Sequence, residues 1–212
     1  MLSDQVYVVI SSVAIALLSL GLAVVLAQSY LKKRTMSRLF WSLGMDAFAL
    51  SATLQVVFSL GIYGTNLVGL YLFLVVILVQ LFSLGALQTF KNRKIHLFYY
   101  GYVGFTVLLL LYSIVTSGIG NLLKGYVVAG LPPDFVIWTS SIATFPAAIL
   151  IIISAAIGYE RTKNAGLLSI VAGIVIVGVA GTLYISAFPE FLYISEFAGV
   201  LLLWYGVIKS RQ

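Results

Sequence analysis

Long apolar stretches recur along the chain and are separated by short polar breaks. A helix needs about 20 apolar residues to cross a bilayer core of about 30 Å. None of the stretches shows the strict alternation that is typical of membrane barrel strands. The pattern predicts seven transmembrane helices, at about 7–30, 39–63, 67–90, 97–117, 135–159, 165–185 and 188–207.

The composition agrees with this pattern. Of the 212 residues, 62% are hydrophobic and only 8% are charged, whereas a soluble domain carries roughly 25% charged residues. A soluble domain, a disordered chain and a nucleic-acid-binding protein are therefore excluded, despite the net charge of +6. We expect an all-α, multi-pass protein of the cell membrane, with residues 1–212 in one domain, the lipid bilayer around it and no nucleic-acid partner.

The basic residues predict the orientation of the bundle. Eleven of the twelve Lys and Arg residues follow the odd-numbered segments, and Lys124 alone lies on the other side. Cytoplasmic loops carry such an excess of Lys and Arg. The sequence therefore predicts that the amino terminus is outside and that the carboxyl terminus is in the cytoplasm.

The linker between the fourth and fifth segments, residues 118–134, is too apolar for a solvated loop. Apolar segments of this kind lie at the membrane interface rather than in water. We expect the linker to cover the outer end of the bundle, with Tyr126, Val127 and Val128 at least partly buried.

Two acids, Asp46 and Glu196, lie deep within apolar segments. An ionisable group at membrane depth costs about 2.5–3.5 kcal/mol on insertion scales and usually faces the bundle interior. No Lys or Arg lies inside a segment to neutralise them, so each acid is protonated or is served by hydrogen-bond donors. We expect both to share a polar pocket between helices two, three and seven, lined also by Gln80 and Tyr193. The alternative is that such groups only hold the helices together.

The sixth segment carries a row of small residues, Ser169, Gly173, Gly178 and Gly181, among β-branched ones. Small residues let membrane helices approach closely. This candidate packing face contacts a neighbouring helix of the same chain or another membrane protein subunit, and the sequence leaves both possibilities open.

The residue inventory limits the chemistry. The chain has no Cys and a single His, His96, which excludes Cys-ligated zinc, iron–sulfur clusters and a bis-histidine haem. It has no nucleophile elbow and no phosphate-binding glycine loop. The layout resembles that of opsins, which hold retinal on a lysine within helix seven. Here the only lysine of that region, Lys209, lies beyond the segment, so covalent retinal is excluded. We expect no catalytic residues, no metal and no cofactor.

These features favour a non-enzymatic protein that acts as a subunit or binding module within the membrane. The alternative is a proton-linked small-solute transporter that uses Asp46 and Glu196. A lipid-modifying enzyme is a weaker candidate, because acids alone would have to perform all the chemistry.

Overall fold

The computed structural model describes the backbone at residues 2–120, 122–124, 126–128, 130–185 and 189–209, and side-chain surroundings at 5–120, 122, 126–128, 130–176 and 193–209. Over these residues the chain forms helices joined by short connections and one small hairpin. The elements are α1 (Leu2–Lys32), α2 (Met36–Ser59), α3 (Thr65–Leu87), α4 (Arg93–Thr116), β1 (Leu123–Lys124), β2 (Val127–Val128), α5 (Asp134–Thr162), α6 (Ala165–Ile185) and α7 (Pro189–Lys209).

The predicted all-α architecture is confirmed, with seven helices in the described part of the chain. Within that part, five helices, α1 to α5, are long and apolar enough to cross a membrane. The stretch of α6 whose side chains are described, Ala165–Ile176, is a shorter apolar helix. The fold is that of a helical protein compatible with a membrane.

Local capping signals explain where the polar breaks interrupt the helices. Thr35 precedes α2, and its side chain accepts a hydrogen bond from the backbone N–H of Arg38. Asn92 caps α4 in the same way, accepting from the N–H of Lys94. Such caps satisfy N–H groups that have no partner within the helix. After α2, Gly61 has a φ of 81°, a conformation that glycine adopts without strain and that turns the chain.

Two aromatic rings lie on glycines where α2 and α3 pack together. A Cβ added to Gly85 would lie 2.6 Å from an atom of the Trp41 ring, and one added to Gly44 would lie 2.6 Å from the Phe82 ring. The two rings also contact each other, with centroids 5.1 Å apart. The absence of side chains at both glycines therefore allows the close approach of α2 and α3.

The main core lies among α1, α2, α3 and α7. In contrast, α4 buries few side chains and packs mainly against α5 and α3 among the described elements. Its large apolar side chains are mostly exposed, including Leu97, Phe98 and Val115. Exposed apolar side chains of this size suit a helix that faces lipid.

The linker between α4 and α5 folds as a hairpin in which β1 pairs antiparallel with β2. Val127 and Val128 are buried, at 5% and 6% exposure, which confirms that part of the prediction. Tyr126 stands at the turn and keeps 41% of its surface exposed. Because β2 packs against α2, the hairpin covers part of one end of the bundle.

Candidate functional site

Glu196 lies in a buried polar cluster that joins α7 to α2 and α3. Its side chain is only 6% exposed. The amide of Gln55 donates to Glu196 Oε1 over 3.0 Å and to the hydroxyl oxygen of Tyr71 over 3.1 Å. The three side chains come from three helices, so the cluster depends on the tertiary packing.

Tyr193 extends this cluster towards α1. It lies three residues before Glu196, which places both on one face of α7, and it is also buried. Ser12 of α1 lies within side-chain hydrogen-bonding reach of the Tyr193 hydroxyl. The prediction that Glu196 and Tyr193 face inward together therefore agrees with the structure.

A small cavity adjoins the cluster beneath the hairpin. Gln55, Tyr71 and Tyr193 line it from the helices, and Tyr126, Val127 and Val128 line it from the hairpin. Its volume is about 10 Å³, whereas a single water needs about 10–15 Å³ of such space. The cavity is therefore large enough for about one water and too small for a solute.

Two oxygens of the cluster have no hydrogen-bond partner among the described residues. They are Gln55 Oε1 and Glu196 Oε2. An unpaired buried polar atom costs about 1–3 kcal/mol, so the site favours a proton on the carboxyl group or a water between the two oxygens. The arrangement can hold or exchange a proton.

Gln80 belongs to a different cluster, which corrects its predicted place in the pocket. Its amide donates to Thr106 Oγ1 over 2.9 Å and to the carbonyl oxygen of Ala143 over 3.1 Å. These contacts join α3 to α4 and α5. Gln80 lies nine residues from Tyr71, or about 13 Å along α3, so it does not reach the cluster around Glu196.

Asp46 is exposed on the surface of α2, so the prediction that it points inward is wrong. Ser42 and Ala49, which lie one helical turn before and after Asp46, are buried. At 100° per residue, Asp46 is displaced by about 40° around the helix from Ser42, and the edge of the buried surface passes between them. Asp46 and Glu196 do not share a pocket.

The surroundings of Asp46 on α2 are apolar. Leu43 and Leu50, one turn before and after it, are 41% and 49% exposed. Thr53 lies a further turn along and is also exposed, with its hydroxyl donating to the carbonyl oxygen of Ala49. We call Leu43, Asp46, Leu50 and Thr53 the outer stripe of α2.

The small-residue face of α6 packs inside the bundle over its described part. The Ser169 hydroxyl donates to the carbonyl oxygen of Leu202 over 2.8 Å. A Cβ on Gly173 would lie 2.8 Å from the carbonyl oxygen of Gly199. Gly178 and Gly181 lie outside the residues whose surroundings are described. At Ser169 and Gly173 the partner of this face is α7.

Gln55 and Tyr71 are the residues of the cluster that the sequence reasoning missed. Gln55 is an amide within an apolar helix, and such a residue usually needs a partner, so a signal for it was present. Tyr71 carries no signal, because tyrosines are common in membrane proteins. Its role follows only from the packing of α3 against α2.

Comparison with protein-family models, with curated proteins and with solved structures finds no match to this chain. Among the described residues, no three His, Cys, Asp or Glu side chains are grouped so that they could hold a metal ion. The function must therefore be argued from the geometry of this chain.

Proposed function

We propose that the protein is a non-enzymatic subunit of a membrane complex. It spans the cell membrane seven times, with its amino terminus outside and its carboxyl terminus in the cytoplasm. The lengths of α6 and α7, 21 residues each, support seven spans, because such helices measure about 31 Å. The excess of basic residues after the odd-numbered helices supports the orientation.

Single cysteines test this topology without interference, since the chain has no native Cys. Ser3→Cys and Gln212→Cys are labelled separately in intact cells with a membrane-impermeant maleimide, before and after permeabilisation. We expect only Ser3→Cys to react in intact cells. Labelling of both positions from the same side would contradict an odd number of spans.

The observation that carries the subunit function is the exposure of Asp46 within the outer stripe of α2. Asp46 lies ten residues from Met36, about 15 Å from that end of the helix, and thus near the middle of a span. A carboxyl group that faces lipid at this depth costs about 2.5–3.5 kcal/mol. A partner helix that supplies a hydrogen-bond donor or a positive charge removes this cost.

The partner is a different protein with a basic side chain at mid-membrane depth. All Lys and Arg residues within the helices of this chain lie in the first or last three residues of a helix. A second copy therefore has no cation to place beside Asp46. An opposite charge in a medium of low dielectric constant gives a strong attraction, and a transmembrane helix with a central Lys or Arg supplies it.

Energy transfer in vesicles tests this pairing with a defined probe. The protein carries a donor dye at Ser3→Cys, and a leucine-rich transmembrane peptide with one central Lys carries the acceptor. We expect more energy transfer to this peptide than to a matched peptide with a central Leu. The difference should disappear in Asp46→Asn and persist in Glu160→Gln, a control at the exposed inner end of α5. Equal transfer to both peptides would overturn the proposal.

Disulfide formation distinguishes binding of a second copy of this chain from binding of a different protein. Single cysteines at Leu43 or Leu50 lie on the outer stripe, and a symmetric dimer would bring the two copies of either residue together. We expect slow, concentration-dependent disulfide formation at both positions. Rapid dimerisation at low protein density would show that the stripe binds a second copy and would contradict the hetero-complex.

Proton-linked transport is a second candidate, favoured by the buried carboxyl group of Glu196 and its unpaired Oε2. Its test is proton flux into vesicles that contain a pH-sensitive dye. Glu196→Gln should abolish a flux that depends on this carboxyl group, whereas Asp46→Asn should not change it. The subunit function predicts no flux above that of empty vesicles.

A further inference from the structure

A second and larger cavity lies at the end of the bundle that carries the basic loops. Its volume is about 310 Å³, which is at the lower limit of about 300–1,000 Å³ for small-molecule sites. It lies between α1, α2, α3, α5 and α6, with one residue from the end of α7. None of the residues of the Glu196 cluster lines it.

The described lining of this cavity contains one charged side chain, Arg38, and no carboxylate. One guanidinium nitrogen, Nη1, donates to the carbonyl oxygen of Ser29 over 2.9 Å. A guanidinium has five N–H donors in a fixed planar arrangement. The contact with Ser29 holds the side chain in place and leaves donors that suit a carboxylate or a phosphate.

The rest of the cavity is mostly apolar and extends into the bundle. Arg38 lies two residues from the start of α2, close to the expected interface. Of the lining residues on α5, Ile151 lies farthest from this end of the bundle. It is 11 residues before the end of α5, or about 16 Å into the bundle. The cavity thus has a positive charge near the interface and apolar walls, among them Leu26 and Val171, at greater depth.

Two serine hydroxyls of the lining already have partners within the protein. The Ser37 hydroxyl donates to the carbonyl oxygen of Gly85 over 3.0 Å, and the Ser154 hydroxyl donates to that of Ala86 over 2.8 Å. Both hydroxyl hydrogens are therefore already used in hydrogen bonds within the protein. An uncharged polar ligand would find few partners there, whereas a hydrocarbon chain needs none.

We propose that this cavity binds an amphiphile with one anionic head and one hydrocarbon chain. The head forms hydrogen bonds with the guanidinium of Arg38, and the chain lies along the apolar walls towards Ile151. The nearby basic residues Lys32, Lys33 and Arg34 raise the local concentration of anions at this end. The ligand is a free fatty acid or one chain of an anionic phospholipid, which share this chemistry.

Trp41 lines the cavity and serves as the reporter. In a Trp138→Phe, Trp204→Phe protein it is the only tryptophan. Its fluorescence is followed in phosphatidylcholine vesicles as chain-brominated probes are added, because bromine quenches tryptophan on contact. The probes are a brominated fatty acid, brominated phosphatidylglycerol and, as the neutral reference, brominated phosphatidylcholine.

We expect at least one anionic probe to quench Trp41 saturably, at a mole fraction about tenfold lower than the neutral probe. Quenching by the fatty acid alone identifies a free carboxylate as the ligand head. Quenching by phosphatidylglycerol identifies a phospholipid. Equal quenching by the neutral probe and both anionic probes would overturn the proposal.

Three variants separate the site from general surface charge. Arg38→Gln should remove the preference for anionic probes, whereas Arg34→Gln, in the exposed connection before α2, should keep it. Ala155→Phe, which fills the cavity from α5 and leaves Arg38 in place, should remove saturable quenching by every probe. An equal effect of Arg34→Gln and Arg38→Gln, or saturable quenching that survives Ala155→Phe, would contradict binding in this cavity.

Discussion

Asp46 and Glu196 are two acids that lie well inside long apolar helices, and they have opposite surroundings. Glu196 is buried and accepts a hydrogen bond from Gln55. Asp46 is exposed between Leu43 and Leu50, which are exposed as well. The position of an acidic residue along a helix therefore does not determine whether its side chain points into the bundle or away from it. Glu196 accepts a hydrogen bond from its own chain, whereas Asp46 lies on the outer surface of α2.

The difference follows from how each helix is packed. The buried face of α7 continues through Tyr193, Glu196 and Val200, one helical turn after another. Most of α2 is buried, because it packs against α1, α3 and the hairpin. Only a narrow stripe of α2 remains exposed, and Asp46 lies in it. An acidic residue thus lies in the interior on α7 and on the surface on α2.

The largest effect should come from removing the donor of the buried acid. Gln55→Leu leaves Glu196 without its hydrogen bond and should lower the free energy of unfolding by about 2 kcal/mol. Unfolding is followed in mixed micelles by titration with a denaturing detergent. Gln28→Leu, at an exposed position of α1, is the control and should cost less than about 0.5 kcal/mol. Equal losses would mean that the Gln55 contact does not stabilise the fold.

The accessibility of the two positions should differ by about tenfold, which corresponds to about 1.4 kcal/mol. Asp46→Cys and Glu196→Cys are labelled with a small, membrane-permeant maleimide in mild detergent micelles. Asp46→Cys should react faster, because only the buried position requires local opening of the bundle. Equal rates would contradict the opposite orientation of the two side chains.

Replacing the buried acid by its amide should have a small and favourable effect. In Glu196→Gln the new NH₂ group can donate to Gln55 Oε1, which lacks a partner among the described residues. We expect the free energy of unfolding to rise by up to about 1 kcal/mol. The same detergent titration measures it. A loss of more than 1 kcal/mol would indicate that the carboxyl group itself is required for the fold.

The smallest effect on the isolated protein should come from Asp46. Asp46→Leu changes an exposed side chain and should alter the free energy of unfolding by less than about 0.5 kcal/mol. Its effect should appear instead in the energy transfer to the Lys-containing peptide. If Asp46→Leu unfolds the isolated protein, the outer stripe is a structural feature of this chain and not a docking surface.

Much of the fold was predictable because the signals are local. The helices begin and end within a few residues of most predicted boundaries, since apolar runs and caps such as Thr35 and Asn92 lie next to each other in the sequence. The burial of Val127 and Val128 was predictable from the apolar character of the linker. The site was only half predictable. Glu196 and Tyr193 come together as expected, whereas Gln80 lies about 13 Å along α3 from Tyr71, the residue of α3 that belongs to the cluster.

The sequence by itself determined the helices, their apolar character and the position of each polar residue along its helix, because these depend on neighbours along the chain. Tertiary structure alone decided which acid is buried, because a rotation of about 40° around α2 changes the surroundings of Asp46. It also decided that Gln55 and Tyr71 join Glu196 in one cluster, and that Arg38 lines a cavity. These contacts join residues that are distant in sequence, and helix packing fixes them.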